Sequence, residues 1–242
     1  MNLIFSEKNV IQWSTTTAKE FLLNNSHGQQ IFLFTGVYTT CRTVQLNKIF
    51  DLKGHLERLE SGYKSLNGND LNTNSVLQLL KSALLEFQSK TLQEGKATIL
   101  CLKEGHAIHV SPLLPPPKKA QCIMAGKPRH NATVKDSLWV ADRQPLENPK
   151  FNEVLLSENG EIYEGLTSNF ACILNGKLLT SPLNNVLPGT VLKLALEICK
   201  KLEIPVEFRN PKISEIHEWE GAFITSTSRL ILPIDEITIS EK

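Results

Sequence analysis

Residues Tyr163–Phe170 read YEGLTSNF, and apolar runs lie on both sides of them. VLLSENGEI precedes the stretch and ACILNGKLLTSP follows it. Glu164 therefore stands at the end of one predicted strand and just before another, where burial of an unpaired charge is costly. Two interpretations are open: Glu164 is a solvated turn residue, or it has a cationic partner that this chain does not itself contain.

The surrounding segments predict a sheet in the second half of the chain. Two Asn-Gly pairs, Asn159-Gly160 and Asn175-Gly176, separate apolar runs, and Asn-Gly is the strongest short hairpin signal because both residues tolerate positive φ. We therefore expect an antiparallel sheet, with predicted strands AQCIMAG, EVLLS, EIYEG, NFACIL, KLLTSP, VEFRN and AFITSTS.

One long helix is predicted within this half, in LPGTVLKLALEICKKLEIP (residues 187–205). Lys200 and Lys201 lie near its C-terminus, where cations are favoured. The pattern predicts one apolar face, formed by Leu194, Ala195, Ile198, Cys199 and Leu202.

The first half predicts two helices and several strands. Residues 52–66 and 75–89 carry apolar residues at helical spacing, and the polar loop 67–74 separates them. We expect Ser75 to cap the second helix and the two helices to pack face to face. The predicted strands are QIFLFTGVYTTCRTVQ, NKIFDL, ATILCLKEG and HAIHVSPL, which makes the fold class α+β.

A proline cluster, PLLPPPKK, occupies residues 112–119 and can form neither a helix interior nor a central strand. It predicts a connection at about residues 114–118. The expected division is an N-terminal α+β lobe over residues 1–113 and a C-terminal lobe over residues 119–242.

Charge and composition narrow the class of partner. The 242 residues include 26 basic and 25 acidic side chains, for a net charge of +1, which lacks the basic footprint of a nucleic-acid or membrane-surface binder. No stretch approaches the roughly 18 apolar residues of a membrane span. We expect a cytoplasmic protein whose partner is a small molecule.

The cysteines indicate no special chemistry. They are scattered singly, without a CxxC or Cys/His cluster, and so favour reduced core thiols over a metal site or disulfide framework. They are Cys41, Cys101, Cys122, Cys172 and Cys199.

Three local features could carry chemistry. Pro188-Gly189-Thr190 precedes the long helix, where unsatisfied N–H groups and a glycine can form an anion site. Thr225–Ser228 offers several hydroxyls at a strand end. Lys135 has apolar neighbours, and a desolvated lysine can act as a carbonyl nucleophile. Each also has an ordinary interpretation, as a helix-starting turn, a polar strand end and a solvated lysine.

Taken in order, four blocks resemble the class IV pyridoxal-phosphate enzymes, namely branched-chain and D-amino-acid aminotransferases and aminodeoxychorismate lyase. The blocks are GVYTTCRT with GHLERL, VKDS, YEGLTSNF, and LPGTVLKLAL with AFITSTS. The resemblance covers roughly residues 30–237. It implies the two-lobe fold of D-amino-acid aminotransferase, with a small N-terminal α/β lobe and a larger C-terminal lobe of antiparallel sheet and helices. It also implies a homodimer.

The resemblance assigns roles around pyridoxal 5'-phosphate. Lys135 is similar to the Schiff-base lysine and is expected to move the proton at the substrate Cα as base and acid. Glu164 is expected to face the ring nitrogen and keep it protonated, and Arg58 to bind the phosphate. Further cofactor contacts are implied at Asn169, Gly189, Thr190, Val191, Ser226 and Thr227, and substrate contacts at Tyr38, Thr40 and Lys103.

Three functions stay open. An aminotransferase for a branched-chain or D-amino acid, or for a related amino acid or keto acid, is the first. A lyase of the aminodeoxychorismate type, releasing pyruvate, is the second and is favoured slightly by TTCR at residues 39–42. The third is a protein that keeps the fold without catalysis, because FLLNNSHGQQIFLFTG (residues 21–36) lacks the D-R-G motif that usually precedes the first block.

Overall fold

The computed structural model describes residues 10–13 and 36–239. These residues fall into two compact units. The first contains the described residues up to Leu114 together with Lys135–Asp142, and the second contains Pro115–Val134 and the described residues from Arg143 onward. The sequence division assigned residues 135–142 to the C-terminal lobe, whereas they belong to the first unit here. Most of residues 21–36, where the D-R-G motif is missing, lies outside the described residues.

The first unit contains a five-stranded antiparallel sheet in the order β1-β5-β4-β2-β3. The β4–β5 hairpin matches the two predicted runs, and its apolar positions supply much of the buried core. The predicted strand NKIFDL shortens to two residues because Asp51 caps the following helix. The strands are β1 (Val10–Trp13), β2 (Val37–Val44), β3 (Lys48–Ile49), β4 (Gly95–Leu102) and β5 (Gly105–Pro112).

Two helices cover this sheet, α1 (Leu52–Asn67) and α2 (Thr73–Lys90). The expectation that they pack face to face was wrong, because α1 packs mainly on β2 and α2 on β5, β1 and β4. The expected cap at Ser75 was also wrong. Asn72 caps α2 instead, and its side-chain oxygen accepts a hydrogen bond from the Ser75 N–H at 3.1 Å. Across the described ranges, no helix combines the length and the apolar composition that crossing a membrane requires.

The second unit contains an eight-stranded sheet in the order β11-β10-β9-β12-β13-β6-β7-β8. Because β8 also pairs with β9, the six strands β9, β12, β13, β6, β7 and β8 close into a ring. The strands are β6 (Ala120–Met124), β7 (Glu153–Glu158), β8 (Glu161–Gly165), β9 (Asn169–Leu174), β10 (Lys177–Thr180), β11 (Val206–Phe208), β12 (Gly221–Ser226) and β13 (Leu230–Ile239).

The predicted antiparallel sheet is therefore mixed. Both Asn-Gly hairpins are present, with positive φ at Asn159, Gly160, Asn175 and Gly176. However, β6 lies parallel to β7 and to β13, and β10 lies parallel to β11. The sequence analysis missed β13, whose Pro233 and acidic residues interrupt the apolar pattern.

Apolar side chains fill the ring and form its core. Phe170 of β9 contacts Trp219, with ring centroids 5.7 Å apart. All five cysteines of the chain are buried free thiols, as predicted. The buried cluster comprises Ala120, Cys122, Met124, Leu155, Ile162, Phe170, Cys172, Leu174, Ile224 and Leu232 of the ring strands, together with Leu179 of β10.

The remaining helices are α3 (Leu138–Arg143), α4 (Thr190–Lys201) and the 3-10 turns Gln144–Leu146 and Ile213–Glu218. Helix α4 packs on the sheet through Leu196 and Cys199, near Ala171 and Leu178. The predicted apolar face was partly wrong. The buried side runs through Val191, Leu192, Ala195 and Cys199, while Ile198 and Leu202 are 43% and 64% exposed.

Gly165 ends β8 where no side chain can be accommodated. A Cβ there would lie 2.4 Å from Ser168 Oγ and 2.7 Å from Glu153 Cγ. We expect Gly165→Ala to lower the free energy of unfolding by about 1–3 kcal/mol, since overpacking displaces the neighbours. Urea denaturation measures the change, and Gly221→Ala, whose Cβ meets no atom within 4 Å, is the control. Equal stability of the two variants would contradict the close packing at Gly165.

Candidate active site

Glu164 is turned toward the site by an irregularity in β8. Leu155 pairs with Gly165 and Ser157 with Ile162, so β8 has one residue more than β7 over this interval. Such a bulge re-aims side chains. Ile162 thus packs in the ring core, while Glu164, only 4% exposed, directs Oε2 to the Leu187 N–H at 3.1 Å. Glu164 is therefore not a solvated turn residue.

Asn169 binds the other backbone polar group of Leu187. Its Nδ2 donates to the Leu187 carbonyl at 2.6 Å, so Glu164 and Asn169 between them bind both backbone polar groups of Leu187. Two residues later the loop passes so close to Asn169 that a Cβ on Gly189 would lie 2.1 Å from Oδ1. Gly189 has φ of −64°, so close approach, rather than an unusual backbone conformation, requires glycine.

Three neighbouring strands place polar side chains in one row. Glu164 on β8 pairs with Asn169 on β9, which pairs with Thr225 on β12. Thr225 is 2% exposed, and its Oγ1 has no hydrogen-bond partner among the described residues. The row is a buried polar strip with hydrogen-bonding capacity left at Thr225.

Helix α4 begins beside this strip. Gly189 is its N-cap residue and has no side chain that could cap the first turn, and the next two residues, Thr190 and Val191, are buried. The N–H groups of a first helical turn form an anion site. Ser226 ends β12 and Thr227 follows it in the β12–β13 turn. The second unit thus contains Glu164, Asn169, Gly189, Thr190 and Val191 around one loop, with Ser226 and Thr227 at the end of a strand in the same row.

Lys135 is held in the first unit by backbone pairing. The Tyr38 N–H donates to the Lys135 carbonyl at 2.9 Å, and the Ser137 N–H donates to the Gly36 carbonyl at 2.8 Å. The Lys135 ammonium lies 4.7 Å from the centroid of the buried Tyr38 ring. An aromatic face beside a half-buried ammonium attracts the cation and fixes its position.

Arg58 lies in the same unit and reaches β2 from helix α1. Its Nη2 donates to Thr39 Oγ1 at 2.8 Å, and Thr39 Oγ1 also hydrogen-bonds to His55 Nδ1 at 2.8 Å. Thr39 and His55 are fully buried. His55 thus belongs to the hydrogen-bonded support of Arg58.

The predicted substrate residues occupy different environments. Tyr38 is buried, and Thr40 lies on β2 with its hydroxyl 3.4 Å from that of Thr98. Lys103 is exposed in the two-residue turn between β4 and β5. Across residues 10–13 and 36–239, no three His, Cys, Asp or Glu side chains converge in a way that could hold a metal ion.

Sequence reasoning missed a second buried carboxylate. Glu153 is 5% exposed and pairs with Arg229 at 2.6 Å. Seventy-six positions separate the two residues, and no periodic pattern links them. Long-range strand pairings, which no local signal predicts, bring them together, since β13 pairs with β6 and β6 with β7.

The family model for amino-transferase class IV matches residues 36–237. The chain belongs to the class IV aminotransferase family. The match spans both units and every residue assigned a role above.

Two curated proteins are similar to part of this class IV chain, and each is named a probable branched-chain-amino-acid aminotransferase. The one from Thermotoga maritima is 35% identical over 85 residues, which is 35% of this chain and 31% of that protein. The one from Aquifex aeolicus is 34% identical over 86 residues, which is 35% of this chain and 28% of that protein. The matched segment thus spans about a third of the length of these relatives.

Solved structures confirm the fold type. A fold IV transaminase from Curtobacterium pusillum has a TM-score of 0.71 at 18% identity, covering 84% of this chain and 79% of that one. An aminotransferase from Brucella abortus, bound to the cofactor PLP, has a TM-score of 0.69 at 17% identity, covering 86% and 84%. The predicted α+β, D-amino-acid-aminotransferase-like fold is therefore confirmed.

The environment of His55 predicts a pH dependence of stability. Burial first, and then the charges of Arg58 and Lys135, lower the pKa of His55 from 6.5 to about 3. Between these values the unfolded chain binds the proton and the folded chain does not, so stability is lost as the pH falls from about 6.5 toward 3. We expect His55→Gln to reduce the slope of unfolding free energy against pH by up to about 1.4 kcal/mol per pH unit.

Urea denaturation between pH 4 and 7 measures this slope. An unchanged slope in His55→Gln would show that His55 is not buried in the neutral form.

Proposed function

We propose that this class IV protein is a pyridoxal-phosphate-dependent aminotransferase acting at Cα of a small amino acid, of the branched-chain or D-amino-acid type. The observation that carries the proposal is the buried carboxylate of Glu164, fixed by the Leu187 N–H in the row that leads to Thr225 and the start of α4. The names of the two partial relatives support the branched-chain type.

The residues present fit the cofactor. A pyridinium nitrogen requires a fixed anion, which Glu164 supplies. A phosphate requires several donors, which the backbone N–H groups at Thr190 and Val191, the hydroxyls of Ser226 and Thr227 and the guanidinium of Arg58 can supply. The buried Thr225 hydroxyl and the close approach at Gly189 mark the same strip. An aldehyde requires an amine, which Lys135 supplies.

Each residue then has a definite task. When bound, pyridoxal phosphate withdraws electrons from the substrate Cα. Glu164 holds the proton at the ring nitrogen, and Asn169 keeps the Leu187 loop in place so that the carboxylate cannot turn away. Arg58 binds the phosphate through its planar fork, which Thr39 orients. Lys135 removes the proton at Cα as a base and returns it as an acid.

A lyase of the aminodeoxychorismate type is the second candidate, because Thr39–Arg42 carries the TTCR block. In that reaction Lys135 would only remove the Cα proton before pyruvate is released, whereas in transamination Lys135 would also return the proton. Tyr38, Thr40 and Lys103 are proposed to contact the substrate in either case. We further propose a cytoplasmic homodimer, from the family resemblance. Assays with D-alanine, branched-chain amino acids and aminodeoxychorismate separate the two activities.

The attachment of the cofactor to Lys135 tests the proposal directly. Protein incubated with pyridoxal phosphate and reduced with borohydride should carry one pyridoxyl adduct on the peptide containing Lys135, as found by mass spectrometry. Lys135→Ala should lack the adduct, and Lys193→Ala, changed at an exposed position of α4, should retain it. An adduct elsewhere, or none, refutes the assignment. An adduct without turnover of any substrate would support the third possibility, a fold without catalysis.

Replacing Glu164 tests the electrostatic role. We expect Glu164→Ala to bind the cofactor and to lower kcat by about 100-fold or more, because fixed charge at a reacting centre contributes at this scale. Glu158→Ala, changed at an exposed position near the other end of the same hairpin, should keep full activity. Steady-state kinetics provide the measurement, with whichever substrate the assays described above show to be turned over. An unchanged kcat in Glu164→Ala would remove Glu164 from the mechanism.

A further inference from the structure

The Arg229–Glu153 pair joins three separate segments of the second unit. Arg229 Nη2 lies 2.6 Å from Glu153 Oε2, and the two side chains are 15% and 3% exposed. Arg229 also donates to the Asn152 carbonyl at 2.9 Å and to Thr167 Oγ1 at 2.8 Å. Desolvation offsets much of the attraction in a buried ion pair, so stability alone is a weak explanation for it.

The hydroxyl of Ser226 has an unusual set of partners. Its Oγ accepts from the Arg229 backbone N–H at 3.3 Å and from Arg229 Nε at 3.2 Å. A serine hydroxyl has two acceptor lone pairs and one proton. Both lone pairs are engaged, and within residues 10–13 and 36–239 the proton has no acceptor. The two hydrogen bonds from Arg229 therefore leave the Ser226 hydroxyl able to act only as a hydrogen-bond donor.

Nearby hydroxyls are arranged in the opposite sense. Thr167 Oγ1 and Ser168 Oγ donate to Glu153 Oε2 at 2.6 Å and 2.7 Å. Their protons are therefore committed to Glu153. Glu153 thus takes the protons of Thr167 and Ser168, whereas Arg229 donates to Thr167 Oγ1 and occupies both lone pairs of Ser226, whose proton stays available.

We propose that Arg229 is a positioning residue for phosphate binding, which makes the Ser226 hydroxyl a dedicated donor to the phosphate of pyridoxal phosphate. The inference rests on the proposed function and adds to it. A phosphate oxygen accepts hydrogen bonds, so a serine that presented lone pairs to it would repel it. A hydroxyl whose lone pairs are already occupied needs no reorientation when the phosphate binds.

Comparison of two ligands separates this role from a purely structural one. Dissociation constants for pyridoxal phosphate and for pyridoxal, which lacks the phosphate, are measured by absorbance of the bound cofactor. We expect Arg229→Lys to weaken pyridoxal phosphate about tenfold, as loss of a charge-assisted hydrogen-bond network does, and to leave pyridoxal unchanged. Arg209→Lys is the matched control, since Arg209 forks onto Glu207 and Glu215 in the same unit without touching Ser226.

A double-mutant cycle with Ser226→Ala tests whether Arg229 acts through Ser226. The double variant should bind pyridoxal phosphate no more weakly than Ser226→Ala alone, because residues in one network are not additive. Equal weakening of both ligands in Arg229→Lys, or additive effects in the cycle, would overturn the inference while leaving the proposed function intact.

Two further outcomes are decisive. A wild-type protein that binds neither ligand refutes the proposed function and the inference with it. Circular dichroism establishes whether Arg229→Lys folds. If it does not, Ser226→Ala carries the test, since it must lose affinity for pyridoxal phosphate and not for pyridoxal. Equal affinity of Ser226→Ala and wild type for pyridoxal phosphate overturns the inference.

Discussion

Burial of the Glu164 carboxylate is the constraint on which the candidate site depends. A charge that is 4% exposed is tolerated only with hydrogen bonds to it, and the Leu187 N–H supplies one. Asn169 binds the carbonyl of the same residue, so the loop before α4 is held at both backbone polar groups. The start of α4 is thereby fixed, and Gly189 is required by the close approach of Asn169. Glu164 and Asn169 together thus hold the loop and the start of the helix, and Asn169 requires the glycine.

The closed strand ring carries that arrangement. Apolar side chains fill the ring, and the bulge in β8 turns Glu164 away from this core while Ile162 stays within it. Gly165 leaves room for Glu153, which binds Arg229 and the hydroxyls of the following loop. The β7–β8 hairpin therefore carries two buried carboxylates. Glu153 binds Arg229, and Glu164 faces the proposed ligand.

Local sequence patterns predicted most helices and strands but not which strands pair with each other. The Asn-Gly hairpins and the helices followed from turn chemistry and periodicity. The parallel pairings and the ring closure join distant segments, so no local signal could reveal them. Asn72 displaced Ser75 as a cap because several polar residues there can cap a helix. Ile198 and Leu202 continue the apolar pattern of α4 but are exposed, because periodicity does not fix which side of a broad stripe meets the sheet.

The candidate site shows the same difference. Residues within short sequence motifs were predictable, whereas residues linked only by contacts in the fold were not. Lys135, Glu164 and Asn169 were predicted from short motifs, because the proposed chemistry requires those residue types at those positions. Glu153 and Arg229 were missed because what distinguishes them is their contact with each other, and contact across 76 residues has no sequence pattern.

The fold is shared with solved structures at only 17–18% sequence identity, and the different requirements of the core and of the polar row explain how this is possible. Core positions of the ring require apolar volume, which many residues supply. The row from Glu164 to Thr225 instead depends on strand spacing, about 4.8 Å between neighbours, which is a property of the sheet rather than of particular side chains. A sheet of fixed spacing can therefore hold Glu164, Asn169 and Thr225 in one row while most of the surrounding sequence changes.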